Sequence, residues 1–149
     1  MSTLGFTGTQ VGPTFEQFKS FCQLLRRLVK HGYREFHHGD CIGADAVAAL
    51  EATRLGMRLV SHPCNIVSKR AFTPACEIRP VYPPLVRNRH IVNESNVIIT
   101  MPRGKEVLRG SGTWATIRYA RKRQVPVIIV WPCGRIEAER LPDAIRMEV

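Results

Sequence analysis

Four bends in this sequence are rich in the residue types that hold an anion. They are "GFTGTQVGPT" (Gly5–Thr14), "HHGDCIGAD" (His37–Asp45), the loop that follows "SHP", and "RGSGT" (Arg109–Thr113). Glycine lets the backbone come close to a phosphate and reach positive φ. A helix that starts immediately afterwards offers N–H groups without internal partners, and its dipole favours negative charge. Ser111 and Thr113 add hydroxyl donors. The predicted phosphate contacts are therefore Gly8, Thr9, Gln10, Gly39, Gly110, Ser111, Gly112 and Thr113. A single "GSGT" turn serves equally well as a plain strand-to-helix connector. Several such bends sharing one rim point to a ligand site.

Other side chains near these bends extend the chemistry. Asp40 and Asp45 frame the second bend. Either can hydrogen-bond ribose hydroxyls, as an acidic residue does in dinucleotide sites, or cap a helix. They are also the candidate catalytic carboxylates. His37 and His38 sit on a short strand, so alternation sends them to opposite faces; His38 is taken as the ligand-side ring and His37 as a core histidine. "RNR" (Arg87–Arg89) places forked guanidinium groups around Asn88, and Arg87 and Asn88 join the expected ligand contacts. Trp114 can stack on a base or pack beside the sheet. Arg118, Arg121, Lys122 and Arg123 form a basic patch that suits nucleic acid, or that complements the dipole at a helix C-terminus.

These residues need a frame, and the sequence alternates strand and helix patterns. "TLGFTGT" reads as the first strand. The helix after it starts at Thr14, with Gln17 at the spacing of a capping box. Phe15, Phe18, Cys22, Leu25 and Val29 recur at helical spacing and are expected in the core. "REFHHGD", "MRLVSHP", "NVIITMP" and "VPVIIVWP" read as strands. "GADAVAALEATRLG", "LVRNRHIVNES" and "TWATIRYARKRQ" read as helices. Residues 64–84 read as a long irregular loop, and the tail from "GRIEAER" onward has no clear pattern. β-Branched runs suit parallel strands covered on both faces. The expected architecture is α/β: a Rossmann-like, doubly wound, mainly parallel sheet of about five strands, with helices on both faces, forming a single domain over 1–149.

The bulk composition narrows the function classes. The chain has 149 residues, is 44% hydrophobic, and carries a net charge of +10 from 22 Lys and Arg against 12 Asp and Glu. That balance favours polyanionic partners. No apolar run is long enough to span a bilayer and no secretory leader pattern opens the chain, so no membrane role and a cytoplasmic location are expected. The five cysteines form no C-x-x-C pair, which predicts reduced thiols and no metal site.

"RNRHIVNESNVIITMP" followed by "SGTWATIRYARKRQVPVIIVWPCG" resembles the DprA/Smf DNA-processing family. "GDCIGADAVAALEATRLGMRLVSHP" and "GFTGTQ" resemble that family's earlier glycine segments, in the same order. The wider group is the SLOG superfamily of Rossmann-like nucleotide-ligand proteins, which includes the Lonely Guy (LOG) phosphoribohydrolases. The resemblance implies ligand contacts at Gly8, Thr9, Gly39, Asp45, Arg87, Gly110, Ser111, Gly112 and Thr113. It also implies a homo-oligomer. One departure matters: where LOG enzymes place a catalytic glutamate after the glycine motif, this chain has Ala115 and Thr116. The leading expectation is a module that binds a nucleotide-derived, phosphate-containing ligand, such as ADP-ribose or a cyclic nucleotide, and requires no further cofactor. The alternatives are single-stranded DNA binding through the basic patch and LOG-like cleavage of nucleoside 5′-monophosphates.

Overall fold

A computed structural model describes residues 2–107 and 109–146. The chain opens with β1 (Ser2–Gly8), α1 (Phe15–Lys30), β2 (Tyr33–His38), α2 (Ala44–Arg54) and β3 (Arg58–Ser61). It continues through β4 (Glu77–Ile78), α3 (Pro84–Asn93), β5 (Val97–Met101), α4 (Gly112–Lys122), β6 (Val127–Val130), β7 (Ile136–Glu139) and α5 (Asp143–Arg146). The strands form one sheet in the order β4-β3-β2-β1-β5-β6-β7. All neighbours pair in parallel except β6 and β7.

The α/β, doubly wound expectation holds, with seven strands instead of about five. The two additions are the edge strands. β4 is only two residues long and lies within the segment read as loop; β7 lies in the unpatterned tail. A short edge strand is held by pairing to its neighbour and needs no apolar periodicity of its own.

The inner strands alternate their side chains between two cores. Leu4, Phe6, Phe36 and Ile99 pack on one face with α1, α2 and Ile145 of α5. Ile98, Val127 and Ile129 pack on the other with Ile91 and Val92 of α3 and Ile117 of α4. Phe6, Phe21 and Phe36 form an aromatic cluster, with Phe6 5.5 Å from Phe21 and 5.8 Å from Phe36 between ring centroids.

The capping box at Thr14 and Gln17 is present in both directions. The expected apolar stripe of α1 is rotated, however. Phe15 is 76% exposed, whereas Phe21, Leu24, Leu25 and Leu28 are fully buried. Phe18, Cys22 and Val29 pack at the edge of that core. Gln17 is buried with them because its amide donates to the carbonyls of Pro102 and Val130, at 2.9 and 2.7 Å. It thereby ties the start of α1 to the ends of β5 and β6. Among the described residues, no helix is long and apolar enough to cross a membrane.

Candidate functional site

The chain runs from β1 outward through β2, β3 and β4, then returns across one face in α3 to place β5 on the other side of β1. The loops leaving β1 and β5 therefore diverge, and a crevice opens at the carboxyl ends of these strands. A cleft of about 760 Å³ lies there, within the size range of small-molecule sites.

The bends far apart in sequence meet in this cleft. Gly8, Thr9 and Gln10 line it from β1; Gly39 and Asp45 from the β2–α2 turn; Arg87 and Asn88 from α3; and Gly110, Ser111, Gly112, Thr113 and Trp114 from the entry to α4. Of the expected ligand contacts only His38 and Asp40 stand outside the lining.

Close packing explains why glycine occupies two of these positions. A Cβ on Gly8 would sit 2.6 Å from the Cβ of Ala44. A Cβ on Gly39 would sit 2.5 Å from a guanidinium nitrogen of Arg87 and 3.0 Å from a carboxylate oxygen of Asp45. At Gly39 the space a side chain would need is already filled by the two ionic groups of the site.

At the entry to α4, the Ser111 side chain accepts from the Trp114 N–H at 3.2 Å. The first N–H groups of a helix have no partner within it, and here Gly112 and Thr113 carry them at the cleft wall. Asn88 of α3 approaches this helix start, its side-chain nitrogen 3.9 Å from the position a Cβ of Gly112 would take. At the entry to α2 the equivalent capacity is partly used, because Ala44 N–H donates to Thr9 carbonyl at 2.9 Å. That bond locks the first and second bends together.

Asp45 works inside the protein. Its carboxylate accepts from Gly39 N–H at 2.8 Å and Cys41 N–H at 3.5 Å. Burial pushes its pKa up to about 6, against the opposing pull of Arg87 and these two N–H groups. Arg87 is buried, and its fork is largely spent. One terminal nitrogen donates to the carbonyls of Gly39 and His62; the other donates to Cys41 Sγ at 3.4 Å; Nε donates to Asn88 Oδ1 at 2.7 Å. With five N–H groups in all, these contacts leave one for a ligand. Arg87 is thus a strut joining α3 to the β2–α2 turn, and the bidentate phosphate grip expected from "RNR" is unavailable at this residue.

Asp40 has a different job from the expected ligand contact or catalytic role. It holds φ at +55°, a conformation aspartate tolerates better than most side chains. Its carboxylate accepts from Thr73 N–H at 2.9 Å and pairs with Arg70 at 3.4 Å. Its carbonyl accepts from Ala71 N–H at 2.8 Å. Asp40 thereby pins the excursion between β3 and α3 against the end of β2. His38 is buried; its Nδ1 accepts from Asp40 N–H at 3.0 Å, and burial lowers its pKa to about 4. Alternation does send His37 to the other face, where both its ring nitrogens have partners.

Trp114 packs. It is buried beside Trp131 at 5.8 Å, and its indole N–H donates to Gly104 carbonyl at 3.0 Å. Part of its surface still lines the cleft. In the basic patch, Arg118 bonds Glu106 at 3.1 Å and Arg121 makes a two-point bond to Glu139, at 3.0 and 2.8 Å.

The sequence reading missed three cations of the lining: Lys69, Arg103 and Lys105. All three are exposed. Arg103 and Lys105 follow β5 directly, at the strand end where ligands bind in this architecture, and that position was a readable signal. Lys69 lies in the loop after "SHP", itself a candidate bend, and the anchoring through Asp40 and the Ile42 N–H bond to Lys69 carbonyl, at 3.0 Å, brings it to the cleft.

No protein-family model matches this sequence, and no curated protein matches it. Solved structures do. A molybdenum cofactor binding protein from the phototrophic bacterium Rippkaea orientalis is 20% identical over 87% of this chain and 76% of its own, with a TM-score of 0.66. The molybdenum cofactor carrier protein of Chlamydomonas reinhardtii is 20% identical over 86% of this chain and 75% of its own, with a TM-score of 0.62. The structural-genomics target TM1055 is 18% identical over 85% and 72%, with a TM-score of 0.65. The architecture this chain shares with them is a Rossmann-like α/β fold.

Proposed function

We propose that this protein binds a phosphate-bearing small molecule of nucleotide or cofactor size in the cleft over β1 and β5, as a carrier or sensor. The observation that carries the reading is convergence: glycine bends from three separate segments, the entry to α4 and the cations Lys69, Arg103 and Lys105 all line one cavity. Helix N–H groups and flexible cations suit an oxyanion. The exposed apolar side chains of Val11 and Leu85, with the part of Trp114 that reaches the same lining, suit a ring system. Two structural neighbours are named for binding or carrying a molybdenum cofactor, which adds that cofactor to nucleotide-derived ligands as a candidate.

Binding is favoured over turnover by the carboxylates. Glycosidic cleavage ordinarily uses a pair of them. Among the described residues Asp45 is the one carboxylate of the lining, and its acceptor capacity is turned to Gly39 and Cys41. Single-stranded DNA binding through the patch of Arg118, Arg121, Lys122 and Arg123 is the weaker reading, since Arg118 and Arg121 already face glutamates. A homo-oligomer stays part of the proposal, and light scattering on the purified chain measures it.

Calorimetry against ADP-ribose, AMP, cyclic nucleotides and molybdenum cofactor tests the reading. Binding of one of these, weakened at least tenfold by Arg103→Ala/Lys105→Ala, is the expected result. Folded protein that binds none of them refutes it, and release of free base from AMP refutes the preference for binding over turnover.

A further inference from the structure

A second cluster lies outside the cleft, under the C-terminal end of α3. None of its members lines the cavity described above. His37 of β2 and His62, just after β3, are both buried, and Nδ1 of His37 lies 2.8 Å from Nε2 of His62. Glu94, the C-cap of α3, brings Oε1 to 3.8 Å from His37 Nδ1. One donor atom from each of the three falls within 4.8 Å of the others. Glu94 is 36% exposed and gives the cluster a route from solvent.

The surroundings fit a cation. The far nitrogen of His37, Nε2, meets Glu35 at 2.6 Å. A carboxylate behind a histidine fixes the tautomer that leaves the other nitrogen free to ligate, and it raises that nitrogen's basicity. A chain of ion pairs runs beside the histidines, and its two end carboxylates, Glu35 and Glu94, both approach His37. Glu35 faces Arg58 at 3.6 Å, Arg58 faces Glu77 at 2.8 Å, Arg79 pairs with Glu77, and Arg79 faces Glu94 at 2.7 Å. Three carboxylates against two guanidinium groups leave one negative charge in excess beside two imidazoles.

We propose that His37, His62 and Glu94 form a site for a divalent transition metal of the zinc class, with Glu35 as the outer support of His37. Nitrogen and carboxylate donors in this number suit zinc, with a fourth position open to solvent. Bonds of about 2.0–2.1 Å in a tetrahedral site put donors roughly 3.3 Å apart. The two histidine nitrogens need to separate by about 0.5 Å from their hydrogen-bonded distance, and Glu94 needs to close by a similar amount on His37 and by up to about 1.5 Å on His62, a movement that falls to the half-exposed Glu94 side chain and its torsions. On binding, the proton between the rings leaves His62 Nε2 and the ring takes its Nδ1–H tautomer. Arg79 competes with the metal for Glu94.

The test is zinc titration of the full-length chain against a chromophoric chelator, with cobalt absorption as a second readout. Cys76 and Cys133 are exposed thiols, so both are changed to serine first. The expected result is one equivalent bound with Kd below about 10 μM. Binding should be weakened about 100-fold or more by His62→Gln and by Glu94→Gln, and about 10–100-fold by Glu35→Gln. Arg79→Ala should tighten it, a sign that adventitious surface binding does not produce. Glu94 is at the surface, so Glu94→Gln keeps the result interpretable if His62→Gln fails to fold. Affinity unchanged in Glu94→Gln, or binding that disappears only when Cys41 and Cys64 are replaced, overturns the proposal.

Discussion

Replacing Arg87 separates two roles that its sequence context leaves mixed. As a strut it satisfies the carbonyls of Gly39 and His62 and lies in the field of the buried Asp45. Hydrogen bonds from a charged donor are worth about 1.5–3 kcal/mol each, so losing two costs about 3 kcal/mol even at the low end of that range. Removing one partner of a buried charge pair costs about 3–5 kcal/mol. The two figures describe overlapping effects, and together they set the expectation for Arg87→Ala at about 4 kcal/mol. For a domain of this size each kcal/mol lowers Tm by about 2–4 °C, so the melting point should fall by about 10–15 °C. Urea unfolding at pH 7 measures the loss directly. Arg87→Ala/Asp45→Asn should be less unstable than the sum of the single variants by about 1–2 kcal/mol, because the second change removes the charge left unbalanced by the first. If Arg87→Ala stays within about 1 kcal/mol of the parent protein while ligand affinity collapses, the strut reading is wrong and Arg87 grips the ligand.

Asp45 gives a pH-dependent expectation. Its folded pKa of about 6 lies above the ordinary 3.8, so the unfolded chain ionises first. The contribution to stability is complete below about pH 4 and is lost as pH rises through about 6, a difference of about 3 kcal/mol. Unfolding at pH 4.5 and 7.5 should show the parent losing stability relative to Asp45→Asn as pH rises; parallel behaviour of the two proteins refutes this. Gly39→Ala should destabilise by about 2–4 kcal/mol, because the new methyl meets Arg87 and Asp45 at contact distances of 3.0 Å or less; a thermal melt within 2 °C of the parent would show that the turn yields freely. Gln17→Ala should cost about 2–3 kcal/mol, since it orphans Pro102 and Val130 carbonyls and breaks the capping box. A loss no larger than that of an exposed cap alone, about 1 kcal/mol, would mean those carbonyls find other donors.

Local pattern determined much of this protein. The β-branched runs of β5 and β6, the capping box at Thr14 and Gln17, and the glycine bends after β1, β2 and β5 are each set by neighbours within a few residues. Their identity alone places the candidate cleft at the carboxyl edge of the sheet. What required the tertiary structure is whatever depends on a distant partner. The helical period of α1 fits a stripe through Phe15 as well as one through Phe21, and only packing against Phe6 and Phe36 selects the second. β4 and β7 exist through pairing: β4 has only two residues, and β7, Ile136–Glu139, carries two glutamates and no β-branched run to announce it. A buried arginine and an arginine reaching for phosphate are the same letter; the Gly39 and His62 carbonyls, at sequence separations of 48 and 25, decide between them. The same holds for His37, His62 and Glu94, which chain order keeps apart and which the sheet and α3 bring within ligating reach.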